Sequence, residues 1–231
     1  MVKALAIVPA RGGSKRLKRK NLRQLGGRAL VDYTLQSAQN SGCFSTIILS
    51  SDDDEILTLS ALYKDVEPVK RPKQMSGDHV TALELVCELT SMPKYRDNYD
   101  AVALLLPTCP FRTQEHIQEG FKLLSPAIDG VVSLTTYEFP PQLSVTIEEK
   151  GLIQSVFEPS PLITGDTRSQ DQKNIYRPNG GFYIQWMKSF IGHQNFWKGK
   201  VKGYQMERLD SVDIDTELDL QYAQFVMDNT K

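Results

Sequence analysis

Residues 4–21 read ALAIVPARGGSKRLKRKN, and this stretch sets the fold class. An apolar run, Ala4–Ala10, stops abruptly at Arg11, and five of the next ten residues are basic. The apolar part predicts a first β-strand over Ala4–Pro9, followed by a helix over Leu30–Asn40. Between them, Gly12 and Gly13 permit close backbone approach and unusual φ/ψ, so that consecutive amides can face an anion. Arg11, Lys15 and Lys20 have the charge to neutralise a polyphosphate, Arg11 with a bidentate fork. The spacing is neither GxxxxGK[ST] nor GxGxxG. An ordinary turn with solvated lysines is the competing reading.

Outward from this stretch, short apolar runs alternate with helical patterns, which predicts an α/β fold around a mainly parallel sheet. The expected strands are Thr46–Ser50, Ala101–Leu106 (central, covered on both faces), Gly130–Leu134, 181–185 and Val201–Met206. The expected helices are Ile56–Leu62, Thr81–Thr90 (Leu83, Val86, Cys87 and Thr90 on one face) and Gln114–Leu124. A closing helix is expected to use Leu218, Tyr222, Phe225 and Val226 as its apolar face. The chain reads as a single domain, 1–231. From 135 to about 178 it leaves the alternating pattern for a proline-punctuated excursion with a hairpin, SVTIEE–KG–LIQSVF, suited to a lid or a subunit interface.

Composition removes several classes of function. With 231 residues, 40% of them hydrophobic, the chain can bury a core without disulfides. A net charge of −1 gives no global field for nucleic acid or acidic membrane, so any basic patch is local. The longest apolar runs are too short to span a bilayer, which takes about 20 residues. The amino-terminal run has no convincing cleavage region. KRLKRK could pass for a nuclear localisation signal, but its place behind a strand and two glycines favours a site loop. Three isolated cysteines, Cys43, Cys87 and Cys109, suit a reducing compartment. A cytosolic protein is expected.

Ligands in open parallel sheets bind beyond the carboxyl ends of the strands. The segments there are RGGSKRLKRKN, SDDD, PTCPFRT and DID. In an extended DID, Asp213 and Asp215 point to the same side and can share one divalent cation. The alternative is that Asp215 or Thr216 caps the next helix. Asp52–Asp54 read first as charge compensation at a helix amino end. His79, His116 and His193 share no ligand spacing, no nucleophile signature is present, and Cys109 is expected to pack rather than react.

Taken together, IVPARGGSKRLKRKN, SSD (50–52), RPKQMSGD (71–78), LPTCPFRT (106–113), RPNGGFYI (177–184) and SVDIDTELD (211–219) resemble the acylneuraminate cytidylyltransferases, over nearly the whole chain. These enzymes make CMP-activated sialic acids and related nine-carbon sugars. The resemblance implies a Rossmann-like, three-layer nucleotidyltransferase fold, a homodimer joined through the excursion, magnesium (Mg2+) as cofactor, and CTP with a nonulosonic acid as substrates. It implies that Arg11, Gly12, Gly13, Ser14, Lys20 and Asn21 hold the nucleotide, with Arg71 and Asp78 beside the base and ribose. Leu106, Thr108 and Asn179 would form the sugar pocket, and Arg168 and Gln170 would reach the sugar from a partner subunit. Asp213 and Asp215 match the family's magnesium aspartates; they, Arg11 and Lys20 would be the catalytic set.

The chain departs from the family pattern at several positions. Leu106 stands where glutamine is frequent, so a polar sugar group left unpaired against it would cost about 1–3 kcal/mol. That shifts the expected substrate from N-acetylneuraminate toward a legionaminate- or pseudaminate-type sugar. Arg16 and Lys18 replace frequent glycine and proline, and Ala82 offers no hydroxyl. A cytidylyltransferase for the eight-carbon acid Kdo and a catalytically silent homologue are the alternative readings, and the general base is open.

Overall fold

Side chains alternate along β1 (Ala4–Pro9): Leu5 and Ile7 pack on one side of the sheet, Ala6 and Val8 on the other, none with exposed surface. The computed structural model describes residues 2–77 and 79–230. It divides into two compact units, residues 1–134 with 178–231, and residues 135–177.

In the first unit, β1 is followed by the two-residue strands β2 (Gln24–Leu25) and β3 (Arg28–Ala29), α1 (Leu30–Ser41), β4 (Phe44–Ser51), α2 (Asp54–Thr58) and β5 (Val66–Lys70). Next come α3 (Ala82–Ser91), α4 (Pro93–Arg96), β6 (Ala101–Leu104), α5 (Gln114–Leu123) and β7 (Gly130–Thr136). The second unit contains the antiparallel hairpin of β8 (Val145–Ile147) and β9 (Ile153–Ser155), and one turn of helix, α6 (Pro161–Thr164). The chain ends in β10 (Tyr176–Trp186), α7 (Met187–His193), β11 (Val201–Gln205) and α8 (Glu217–Thr230).

The main sheet has the order β11-β7-β10-β6-β1-β4-β5. Its pairings are parallel except β10 against β6 among those with a defined register. Strand β6 lies in the middle with Ala101 to Leu104 all buried, as its unbroken apolar run requires. One sheet face is covered by Val31, Leu35 and Ala38 of α1 and Ile117 of α5. The other is covered by Leu85, Val86 and Leu89 of α3 and Phe190 of α7. The result is a three-layer α/β architecture. No helix among the described residues is long and apolar enough to cross a membrane.

Two helix faces differ from expectation, and one strand was not anticipated. In α3 the buried face is Leu85, Val86, Leu89 and Thr90; Leu83 and Cys87 only flank it. In α8, Leu218, Tyr222 and Phe225 are 73%, 50% and 62% exposed, whereas Leu220, Ala223 and Val226 are buried. That helix carries two apolar stripes, and the one with the smaller side chains fits the close packing beneath it. Strand β5 (VEPVK) was not read from the sequence because its proline and charges suit a half-exposed edge, which leaves no apolar run.

Gly120 of α5 lies so close to Phe182 that a Cβ would sit 2.6 Å from the ring. Phe182 is fully buried and has no room to retreat. Gly120→Ala is expected to destabilise the protein by about 1–3 kcal/mol in urea unfolding, and adding Phe182→Leu should recover part of that loss.

Candidate active site

The segments after β1, β5 and β6, together with Asp215, enclose a cavity of about 420 Å³. Its position beyond the strand ends is the one the parallel topology favours. A larger cleft of about 1300 Å³, lined by Tyr99, Trp186 and Ile191 among others, holds none of the expected nucleotide, sugar or metal residues.

What assembles the cavity is apolar. Leu17, in the middle of the basic run, is buried in one cluster with Leu25, Leu30, Phe111, Val212 and Ile214, and with Leu220, Ala223 and Val226 of α8. Ile214 is fully buried between two less buried aspartates, so extended backbone alternation turns Asp213 and Asp215 away from the cluster. The N–H of Ile214 donates to the Thr108 carbonyl at 2.8 Å, joining this segment to the loop after β6. Lys20 Nζ then meets Asp215 Oδ1 at 2.7 Å, and Arg16 meets Oδ2 at 2.8 Å.

Helix capping falls to Thr216. Its hydroxyl accepts the Asp219 N–H, while Asp219 Oδ2 accepts the N–H groups of Asp215 and Thr216. Partial burial pushes the Asp219 carboxyl up, but the Thr216 hydroxyl and these amides outweigh it and hold the group below its ordinary value. Capping therefore leaves the Asp215 carboxylate to the cavity.

The cavity brings together Arg11, Ser14, Lys15, Arg16, Lys20, Asn21, Arg71, Leu106, Thr108 and Asp215, with Val80 and Ala82 as apolar wall. Asn21 is buried and its amide donates to the Arg11 carbonyl at 2.8 Å, which fixes the start of the loop. Arg71 is also buried, and one of its nitrogens donates to the Ser50 carbonyl at 3.2 Å. Burial lowers its pKa from the usual arginine value, Asp52 opposes that shift, and the nearby Arg11 adds to it.

Several expected site residues stand elsewhere. The Gly12 N–H donates to Asp52 Oδ1 at 2.8 Å, so that amide is spent on a carboxylate of the protein itself rather than facing a bound phosphate. A Cβ on Gly12 would sit 2.8 Å from the Asp53 side chain, and this contact, not an unusual φ, requires the glycine. Gly13 does not line the cavity either. Asp53 caps α2 and Asp54 pairs with Lys70, so the acidic run serves the helix start and the loop. Asp213 is exposed and lies outside the cavity lining.

Asn179 is 2% exposed and also lies outside the lining. Its Oδ1 accepts from Ser133 Oγ at 2.6 Å and from the Gly181 N–H at 3.1 Å, and its Nδ2 donates to Ser211 Oγ at 2.8 Å. It locks strands behind the site rather than forming a wall. Arg168 and Gln170 are exposed on the second unit. Asp78 lies outside the described residues. Cys109 is buried, and burial pushes its thiol up to about 11, as packing without reactivity demands.

Arg112, behind the site, is a residue that motif reading passed over. It is 2% exposed, and its guanidinium donates to the carbonyls of Leu106 at 3.2 Å and Gly181 at 2.7 Å. Burial lowers its pKa to about 10. A single cation thus fixes the backbone of the loop after β6 against β10. Arginine between two prolines and a helix start was the available signal, but a buried and an exposed arginine look alike in sequence.

Among the described residues no cluster of three or more His, Cys, Asp or Glu could hold a metal ion. Asp215 does line the cavity, and one carboxylate completed by water and phosphate oxygens is within what magnesium accepts.

Comparisons with known proteins identify the family and the fold. A family model described as cytidylyltransferase matches residues 5–221. The chain is 30% identical to a pseudaminic acid cytidylyltransferase of Campylobacter jejuni, covering 97% of this chain and 96% of the relative. It is 30% identical to a CMP-N,N'-diacetyllegionaminic acid synthase of Legionella pneumophila, covering 98% and 97%. It is 32% identical to an N-acylneuraminate cytidylyltransferase of Streptococcus agalactiae, over 94% of this chain but 52% of that longer protein. Among solved structures, a CMP:2-keto-3-deoxy-manno-octonic acid synthetase complexed with CTP superposes with a TM-score of 0.70 at 13% identity, covering 99% of this chain and 100% of that one. A 4-diphosphocytidyl-2C-methyl-D-erythritol synthase from Anaerococcus prevotii gives 0.69 at 17% identity, covering 99% of both chains. At such identities the structural likeness concerns the fold alone.

If Leu17 anchors the basic loop, Leu17→Ala should lower stability by about 2–4 kcal/mol, as for other buried leucines. The volume-conserving Leu17→Met should cost less than about 1.5 kcal/mol. Urea unfolding of both variants checks the difference.

Proposed function

The chain belongs to the cytidylyltransferase family, and on that footing we propose that it transfers CMP from CTP to the anomeric hydroxyl of a nine-carbon acidic sugar, releasing pyrophosphate. The observation that carries this reading is the charge of the cavity. Among the described residues, Arg11, Lys15, Arg16, Lys20 and Arg71 line it against one carboxylate, Asp215. A small cleft of that sign selects a polyanion, and a nucleoside triphosphate supplies one.

In the proposed reaction the anomeric hydroxyl gives up its proton to water as its oxygen attacks the α-phosphorus, and the bond from that phosphorus to the bridging oxygen breaks. Pyrophosphate leaves with the electron pair. Arg11 and Lys20 would stabilise the charge on the phosphates, Ser14 and Asn21 would bound the loop that holds them, and Arg71 would face the base and ribose. Asp213 and Asp215 would hold magnesium, which when bound neutralises charge on the α-phosphate. Leu106 and Thr108 would contact the sugar, with Asn179 and Arg112 fixing the strands behind them. Holding two substrates in reacting geometry supplies up to about 7–11 kcal/mol without any covalent intermediate.

Leu106 in the cavity wall supports a sugar with an apolar group at that place, of the pseudaminate or legionaminate type. Incubation with CTP, magnesium and a panel of nonulosonic acids should release pyrophosphate with at least one of them. Asp215→Asn should lower kcat/KM by about 100-fold or more, with an unchanged urea midpoint. Leu106→Gln should move the ranking toward N-acetylneuraminate; an unchanged ranking removes Leu106 from the sugar pocket. CTP binding without turnover on any acid, Kdo included, would favour a silent homologue.

The second unit leaves Phe139, Ile147, Leu152, Ile153, Leu162 and Ile163 exposed. So much apolar surface in so short a segment supports pairing with a second copy, from which Arg168 and Gln170 would act. Sedimentation equilibrium should give twice the mass of one chain, and Ile147→Glu combined with Ile163→Glu should shift the protein to monomer. The cytosol is the proposed location, in keeping with three free cysteines.

A further inference from the structure

Asp215 is held by two cations of unequal standing. Lys20, at 2.7 Å from Oδ1, is 17% exposed; Arg16, at 2.8 Å from Oδ2, is 69% exposed. Lys20 begins a short 3-10 turn that continues into buried Asn21, so its backbone is fixed. Arg16 has a fixed pivot, because Leu17 beside it is buried in the cluster under α8, but its side chain reaches through solvent. An exposed ion pair is weak and its partner exchanges readily, whereas Lys20 has the sheltered contact. Both cations line the proposed nucleotide cavity.

A guanidinium in that place can meet a carboxylate or a phosphate with the same fork of donors. When a polyanion enters, Arg16 faces phosphate oxygens carrying more charge than one oxygen of Asp215. We propose that Arg16 is an exchangeable counter-ion. Without nucleotide it covers the outer oxygen of Asp215; with nucleotide it turns to a phosphate oxygen and leaves that carboxylate oxygen open to a divalent cation. One ion pair is exchanged for another, and no covalent bond is broken or formed. The inference rests on reading the cavity as a triphosphate site and Asp215 as a magnesium carboxylate. It adds a specific consequence: Arg16 makes the loop oppose metal binding before nucleotide arrives and favour nucleotide binding itself.

Two equilibrium measurements without turnover test it. Mn(II) binding in the absence of nucleotide is followed by electron paramagnetic resonance, and CTP binding in EDTA by calorimetry, for the wild type, Arg16→Gln, Arg16→Lys and Asp215→Asn. Arg16→Gln should bind Mn(II) about two- to fivefold more tightly and CTP about two- to fivefold more weakly, the range set by an exposed ion pair. Arg16→Lys should fall between Arg16→Gln and the wild type in both. If Arg16→Gln leaves both affinities unchanged while Asp215→Asn loses Mn(II), the counter-ion role is overturned and the reading of Asp215 stands. If Asp215→Asn binds Mn(II) as tightly as the wild type, the reading of Asp215 itself fails, and the counter-ion role fails with it.

Discussion

The site depends on one apolar association: Leu17 from the basic loop and Ile214 from the DID segment share a buried cluster under α8. Lysines and arginines repel one another and hydrate strongly, so charge alone would spread the loop into solvent. Burying a leucine-sized side chain stabilises by about 1.5–3 kcal/mol and pins the loop at its centre. The same burial of Ile214 turns the aspartates on either side of it away from the core. The ion pairs of Asp215 with Lys20 and Arg16 follow from this placement; they do not create it.

Behind the cavity, polar side chains hold the backbone where apolar packing cannot. Arg112 spans the carbonyls of Leu106 and Gly181, and Asn179 ties Ser133, Gly181 and Ser211 together. Burying a guanidinium lowers its pKa, as it does here. The arrangement is tolerable because its donors meet carbonyls and a serine hydroxyl instead of an apolar wall. This region borders Leu106, whose side chain lines the cavity on a well-held backbone.

Much of the architecture was legible because burial and periodicity coincide. β1, α1 and the all-apolar β6 have patterns that only one environment satisfies. Legibility failed where the pattern was ambiguous. α8 offers two apolar stripes, and the choice between them depends on what lies beneath. β5 carries charges and a proline because it is a sheet edge, and an edge leaves no periodic trace. In the site, motif position located Arg11, Lys20, Asn21, Arg71, Leu106 and Thr108 at the cavity. It misjudged Gly12, whose amide meets Asp52, and Asn179, whose polar atoms are spent within the protein.

The sequence by itself determined the layered α/β class, the end of the sheet at which chemistry sits, and the residue types gathered there. These follow from local patterns: apolar periodicity, strand ends rich in glycine and charge, and short motifs. The tertiary structure alone decided which of those residues share a cavity and which hold it up. Leu17, Arg112 and Asn179 have their roles because of partners distant in the chain: Ile214 for Leu17, Gly181 for Arg112, and Ser133 and Ser211 for Asn179. Such partners are set by the folded sheet, and no local stretch of sequence contains them.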